Sequence, residues 1–173
     1  MRESDDRHTR AHTTQRMAAR QGCVTPAMQA VARAEQRSPE FVRDEVACGR
    51  MVIPANVRHS VLKPIGIGIN ATCKINANIG CSPARSDIQH ELEKLRVCLA
   101  YGADTVMDLS TGVELGAIRA AMLAACPAPL GTVPVYQVAS EAGDICRATA
   151  DDCVRVIREQ AEQGVDFMTI HSG

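Results

Sequence analysis

Four segments of this chain end in side chains that can do directional chemistry. They close on Asn76 and Asn78, on Asp108 and Ser110, on Tyr136 and Gln137, and on His171. Amides, a carboxylate, a hydroxyl, a phenol and an imidazole between them donate and accept hydrogen bonds in every useful combination. A ring of such groups could hold a polar heterocycle together with a phosphate. The competing explanation is that strand ends are polar because chains exit to water there. Asp108 has two readings, a general base or an acceptor capping the next helix. His171 titrates near neutrality and suits a metal or a substrate oxygen, or else it is a satisfied structural histidine. Asn78 stands two residues before Gly80, in a loop that an anion could approach. Ser110-Thr111-Gly112 before a helix resembles an anion cup built from free helix N–H groups.

These groups meet only if the elements beneath them repeat. Residues 73–80, 105–110, 130–137 and 166–171 read as strands. Between them lie amphipathic helices. One is opened by a capping box at Ser86-Asp-Ile-Gln89, with Ile88, Leu92, Leu95 and Leu99 on one face. A second runs from about Glu114 to Ala125, and a third is capped by Thr149–Asp152, with Val154, Ile157 and Ala161 inside. Strand starts recur at the length of one βα unit, about 30 residues. Right-handed crossovers make such a sheet parallel, and its apolar strands suit burial on both faces. Upstream, Thr25-Pro26 and Ser38-Pro39 each pair an N-cap with a proline at the first helical position. Their buried stripes are Met28, Val31 and Ala32, then Phe41, Val42 and Val46, with Gly49 as the stop. Met51–Ile53 reads as a strand ended by Pro54, and Gly66–Ile69 as a short strand or bulged crossing. Residues 1–14 are a polar tail, 15–72 a small N-terminal α/β domain, and 73–173 a βα repeat.

Composition excludes several classes. The net charge is -1 and aromatics are 2% with no Trp, so neither a field nor stacking platforms favour nucleic acid. No apolar run nears the roughly 18 residues that span a bilayer, and the first ten residues lack the apolar core of a secretory signal. The expected location is the cytoplasm. Eight cysteines form no C-x-x-C pair and read as reduced thiols, the alternative being a metal site assembled from distant cysteines. His8 and His12 stand four apart, a helical ligand spacing, but in a tail this polar they read as solvated. No Walker loop, G-x-G-x-x-G, triad motif or H-E-x-x-H occurs.

The ordered segments resemble the phosphomethylpyrimidine synthase family, the thiamine-pyrimidine enzymes. The resemblance is carried by Ala19-Arg-Gln-Gly22, Thr25-Pro26, Pro39-Glu-Phe-Val-Arg43 and Val52-Ile-Pro-Ala-Asn56. It continues through Lys74-Ile-Asn-Ala-Asn-Ile-Gly80, Gly102–Gly112, Gly131-Thr-Val-Pro-Val-Tyr-Gln137 and Glu159–Asp166 to Thr169-Ile-His171. It covers everything past the polar tail, in the family's order. It implies an α/β fold: the first four strands of a (β/α)8 TIM barrel behind a small N-terminal region. It implies a radical enzyme using S-adenosylmethionine, a 4Fe-4S cluster and zinc, homodimeric, which turns aminoimidazole ribotide into hydroxymethylpyrimidine phosphate. Carried over residue by residue, the substrate contacts are Asn78, Met107, Tyr136 and His171.

The same resemblance implies an absence. The family's cluster ligands form a C-x-x-C-x-x-x-x-C run, which these 173 residues do not contain, and its metal-binding histidines lie in its later half. The expectation is therefore a fragment without cluster or metal ligands, inactive alone. Hydroxybenzimidazole synthase, a relative starting from the same ribotide, and a non-catalytic ribotide-binding module are the alternatives.

Overall fold

The structure is a computed structural model that describes residues 14–82 and 87–171. The chain forms two compact units: one from the residues up to Ile53 with Pro64–Cys73, the other from Pro54–Lys63 with Lys74 onward. Residues 54–63 thus fold with the second unit, although they precede position 73 in the chain.

The first unit is three helices and a small two-stranded sheet: α1 Gln15–Arg20, α2 Pro26–Glu35, α3 Pro39–Cys48, β1 Met51–Val52 and β2 Ile67–Gly68. Each proline sits in the first turn where its missing N–H costs nothing. Thr25 Oγ1 accepts from the Met28 N–H at 3.2 Å and Ser38 Oγ from the Phe41 N–H at 3.1 Å. Met28, Val31, Ala32, Val42 and Val46 are buried as expected, while Phe41 is only half-buried and Glu45 is buried instead. Gly49 ends α3 in the left-handed conformation, φ 76°. β1 and β2 pair antiparallel, Met51 opposite Gly68. A Cβ on Gly68 would lie 2.2 Å from the Arg50 carbonyl oxygen, so the two strands pair only around glycine.

The second unit is built on a four-stranded parallel sheet in chain order: β3 Asn76–Ile79, β4 Thr105–Asp108, β5 Leu130–Thr132 and β6 Phe167–Met168. The crossovers are helices α4 Ile88–Ala100, α5 Leu115–Ala125, and α6 Pro134–Ala142 with α7 Ala150–Gln163. Ile79, Val106 and Leu130 meet Leu95, Ile118 and Met122 in one core between sheet and helices. Each fully buried aliphatic side chain there contributes about 1.5–3 kcal/mol.

Three local expectations are corrected. Residues 130–137 are not one strand: the ladder stops at Thr132 and Pro134, lacking an N–H, becomes the first residue of α6. Asp87, not Ser86, caps α4, its carboxylate accepting from the Gln89 N–H at 2.9 Å; Ser86 lies outside the described residues. The Thr149–Asp152 capping box does form, but α7 turns Val156 and Gln160 inward and leaves Val154 and Ala161 exposed. The polar tail, including His8 and His12, also falls outside the described residues.

Candidate active site

Parallel register decides which side chains share a face. Asn78 stands opposite Met107, Met107 opposite Gly131, and Gly131 opposite Phe167, so these four form one row across the sheet. Their contacts place the row on the face away from the helices. Thr105 Oγ1 donates to Asn76 Oδ1 at 2.8 Å, Asn76 Nδ2 donates to Asn78 Oδ1 at 2.8 Å, and Thr169 Oγ1 lies 3.8 Å from the Met107 sulfur. Asn76 and Asn78 are exposed, and Met107, Phe167 and Thr169 are half-buried. Gly131 is the gap in this row that Phe167 fills: a Cβ there would meet the Phe167 ring at 2.2 Å. The face is mixed amide, hydroxyl, thioether and phenyl, rather than apolar.

Asp108, Ser110 and Gln137 do not join that row. They sit on the helix side, because alternation along a strand sends Asp108 to the opposite face from Met107. Asp108 accepts from the Ser110 N–H at 2.9 Å and from its hydroxyl, and Ser110 Oγ accepts from the Cys81 N–H at 3.1 Å. Burial pushes the Asp108 carboxyl above its ordinary range, with the Ser110 hydrogen bonds and the charge of Arg119 opposing. Asp108 does not cap the next helix, whose N-cap position is Glu114; it is an acceptor within the loop that leaves β4. Gln137 belongs to a buried lattice: its Oε1 accepts from Arg119 Nη2 at 3.0 Å and from Gln160 Nε2 at 2.9 Å, and Thr132 Oγ1 donates to Gln160 Oε1 at 2.6 Å. The anion cup is also closed. Thr111 N–H donates to the Cys81 carbonyl at 2.9 Å and Gly112 N–H to Ser140 Oγ at 3.3 Å, so those donors already have partners.

Of the four substrate-contact positions, the sheet brings Asn78 and Met107 side by side. Tyr136 is half-buried in the first turn of α6, its N–H donating to the Val133 carbonyl at 3.0 Å, so it follows the exit of β5 on a helix and not on a strand. His171 is exposed, three residues beyond the last residue of β6. All four stand on elements at or past the carboxyl ends of adjacent parallel strands, the edge at which α/β sheets carry their ligands.

Sequence reasoning overlooked the residues around the end of β3. A shallow recess of about 350 Å³ there is lined by Asn78, Ile79, Gly80, Lys94 and Leu109. Lys94 Nζ donates to the Gly80 carbonyl at 2.7 Å and pairs with Glu91 Oε1 at 2.6 Å. Glu91 is 1% exposed, and its second oxygen has no partner among the described residues. The i, i+3 spacing of Glu91 and Lys94 was the available signal. Also unforeseen was the tie at the opposite ends of the strands. Buried His59 meets Asp166 Oδ2 through Nδ1 at 2.7 Å and the Cys126 carbonyl through Nε2 at 2.8 Å, while Asp166 accepts from the N–H groups of Leu130 and Asn56, each at 2.8 Å.

The described residues do not fit an iron–sulfur cluster or a zinc ion. No group of three His, Cys, Asp or Glu converges among them. A cluster needs thiolates, whereas burial pushes the Cys126 thiol up to about 11. No helix among the described residues is long and apolar enough to cross a membrane.

The second unit is a parallel βα sheet with Asn78 and Met107 side by side near its strand ends, an α/β architecture. The family model described as "Radical SAM ThiC family" matches residues 14–173, and the chain belongs to that family. Its members are radical enzymes of thiamine-pyrimidine synthesis that use S-adenosylmethionine.

Proposed function

We propose that this chain supplies the substrate-contact region of a phosphomethylpyrimidine synthase and binds aminoimidazole ribotide at the mouth formed by Asn78, Met107, Tyr136 and His171. The observation that carries the reading is the ladder pairing of Asn78 with Met107 on an open face of a family-matched sheet. In this reading the four parallel strands are the first half of a (β/α)8 barrel, and the open face is the barrel's interior. Asn78 offers a carboxamide to the heterocycle, Met107 a soft apolar contact, and Tyr136 and His171 directional groups at the ends of the next two units.

The substrate contacts and the radical machinery are separate. The cluster that reduces S-adenosylmethionine needs thiolates, and no C-x-x-C occurs within these 173 residues to hold it. The chain alone is therefore expected to bind the ribotide without converting it; its place is the cytoplasm and its assembled form a homodimer.

Calorimetry with aminoimidazole ribotide tests this. The 173-residue chain should bind, and Asn78→Ala and His171→Ala should each weaken binding about tenfold, the scale of one lost directional hydrogen bond. Absence of heat with the unsubstituted chain, or equal affinity in both variants, would remove the assignment.

A further inference from the structure

We propose that Glu91 and Lys94 are a positioning pair for Asn78, setting the exit of β3 so that its carboxamide meets the ligand; this rests on the reading that Asn78 is a substrate contact. The chain turns out of β3 at Gly80, where φ is 156° and a Cβ would lie 2.7 Å from both Leu109 C and Ser110 N. Backbone pressed this closely against the exit of β4 needs its carbonyl directed, and Lys94 Nζ directs it, 2.7 Å from the Gly80 oxygen. Leu109 N–H ties the preceding carbonyl, that of Ile79, at 2.8 Å. The turn is thus fixed from both sides, two residues after Asn78.

Glu91 shows that this ammonium is held deliberately. A carboxylate 1% exposed, with one oxygen on Lys94 at 2.6 Å and the other without a partner among the described residues, is costly as a purely structural element. A well-packed apolar side chain would serve stability as well or better. What an apolar residue cannot do is hold the ammonium, itself only 31% exposed, against the Gly80 carbonyl beside the Asn78 recess. α4 supplies both groups one turn apart, so the whole helix acts as the lever arm.

The test uses the 15N-labelled 173-residue chain and aminoimidazole ribotide as the probe. Lys94→Met should displace the Asn78 side-chain amide signals and weaken ribotide binding about tenfold, while Lys94→Arg, which keeps charge and donors, restores both. Should Lys94→Met not fold, Glu91→Gln makes the same comparison, because it keeps the shape and removes the charge that holds Lys94. Lower melting temperatures with unmoved Asn78 signals and unchanged affinity would reduce the pair to structure and overturn the proposal. If the unsubstituted chain binds no ribotide, the substrate reading falls, and the amide signals in the free variants still decide whether the pair positions Asn78.

Discussion

The cysteines show how burial alone sets chemistry at the residue scale. Cys23, Cys48, Cys73 and Cys146 are exposed free thiols, whereas Cys81 and Cys126 are buried. Burial raises Cys126 to about 11, and its thiol lies 3.2 Å from the Ala128 carbonyl, a weak donor spent on an acceptor. Two units above an ordinary thiol leaves roughly a hundredfold less thiolate at any pH below both values, and the thiolate is the nucleophile. Timed alkylation near pH 8, read peptide by peptide, should therefore label the four exposed cysteines first and Cys126 last. Early labelling of Cys126 in the native chain would contradict its place in the core. The same scale shows what the sequence could and could not disclose. Asn78 and Met107 are neighbours because βα spacing fixed both strands. Tyr136 was misplaced because Val133-Pro134 continues an apolar run in composition while ending the ladder in hydrogen bonding. Asp108 was ambiguous because strand alternation, which sends it to the helices, depends on a register that no single segment contains.

Elements were legible wherever caps and periodicity agreed, as in α2 and α3 with their Thr-Pro and Ser-Pro starts. They were misread where a polar residue faces inward. The inward stripe of α7 differs from its apolar pattern because Gln160 is inside, hydrogen-bonded to Thr132 and Gln137, and hydrophobic patterning counts glutamine as outside. The close of α3 carries a testable electrostatic consequence. Glu45 Oε1 accepts from Arg50 Nη2 at 2.6 Å and its Oε2 from Asn70 Nδ2 at 3.0 Å. The Arg50 hydrogen bond, then that of Asn70, holds the Glu45 carboxyl below its ordinary value. A carboxylate depressed in the folded state adds stability above its unfolded pKa, and that stability drains away as pH falls through the lowered folded value. Glu45→Gln should flatten the acid limb of the stability-versus-pH curve; an unchanged acid limb would show that the contact contributes nothing. The neighbouring two-stranded sheet gives a steric counterpart. Gly68→Ala forces a methyl to 2.2 Å from the Arg50 carbonyl oxygen, so urea melts should lose about 3 kcal/mol, the upper end of overpacking costs.

At the scale of the whole molecule, the sheet of the second unit sets the solution behaviour. Its order runs β3-β4-β5-β6, so β3 and β6 are each paired on one side only among the described residues. Unpaired strand edges recruit other strands unless charge, proline or a covering element blocks them. The β3 edge reads Asn-Ala-Asn-Ile and the β6 edge Phe-Met, with no charge or proline in either. Beside these edges Ile75 is 60% and Ile170 54% exposed, more apolar surface than an isolated edge normally leaves to water. The Asn76–Asn78–Met107 face is polar enough to stay hydrated, which makes the edges, rather than the face, the adhesive part. The 173-residue chain on its own is therefore expected to self-associate through β3 and β6 in a concentration-dependent way, as seen by sedimentation velocity. Lysine at exposed Ile75 or Ile170 places a charge beside each edge and should shift the distribution toward monomer, whereas lysine at exposed Val154 on α7 should leave it unchanged. A single monomeric boundary at all concentrations, already present before any edge substitution, would mean that both edges are covered by something the strand pairing does not reveal.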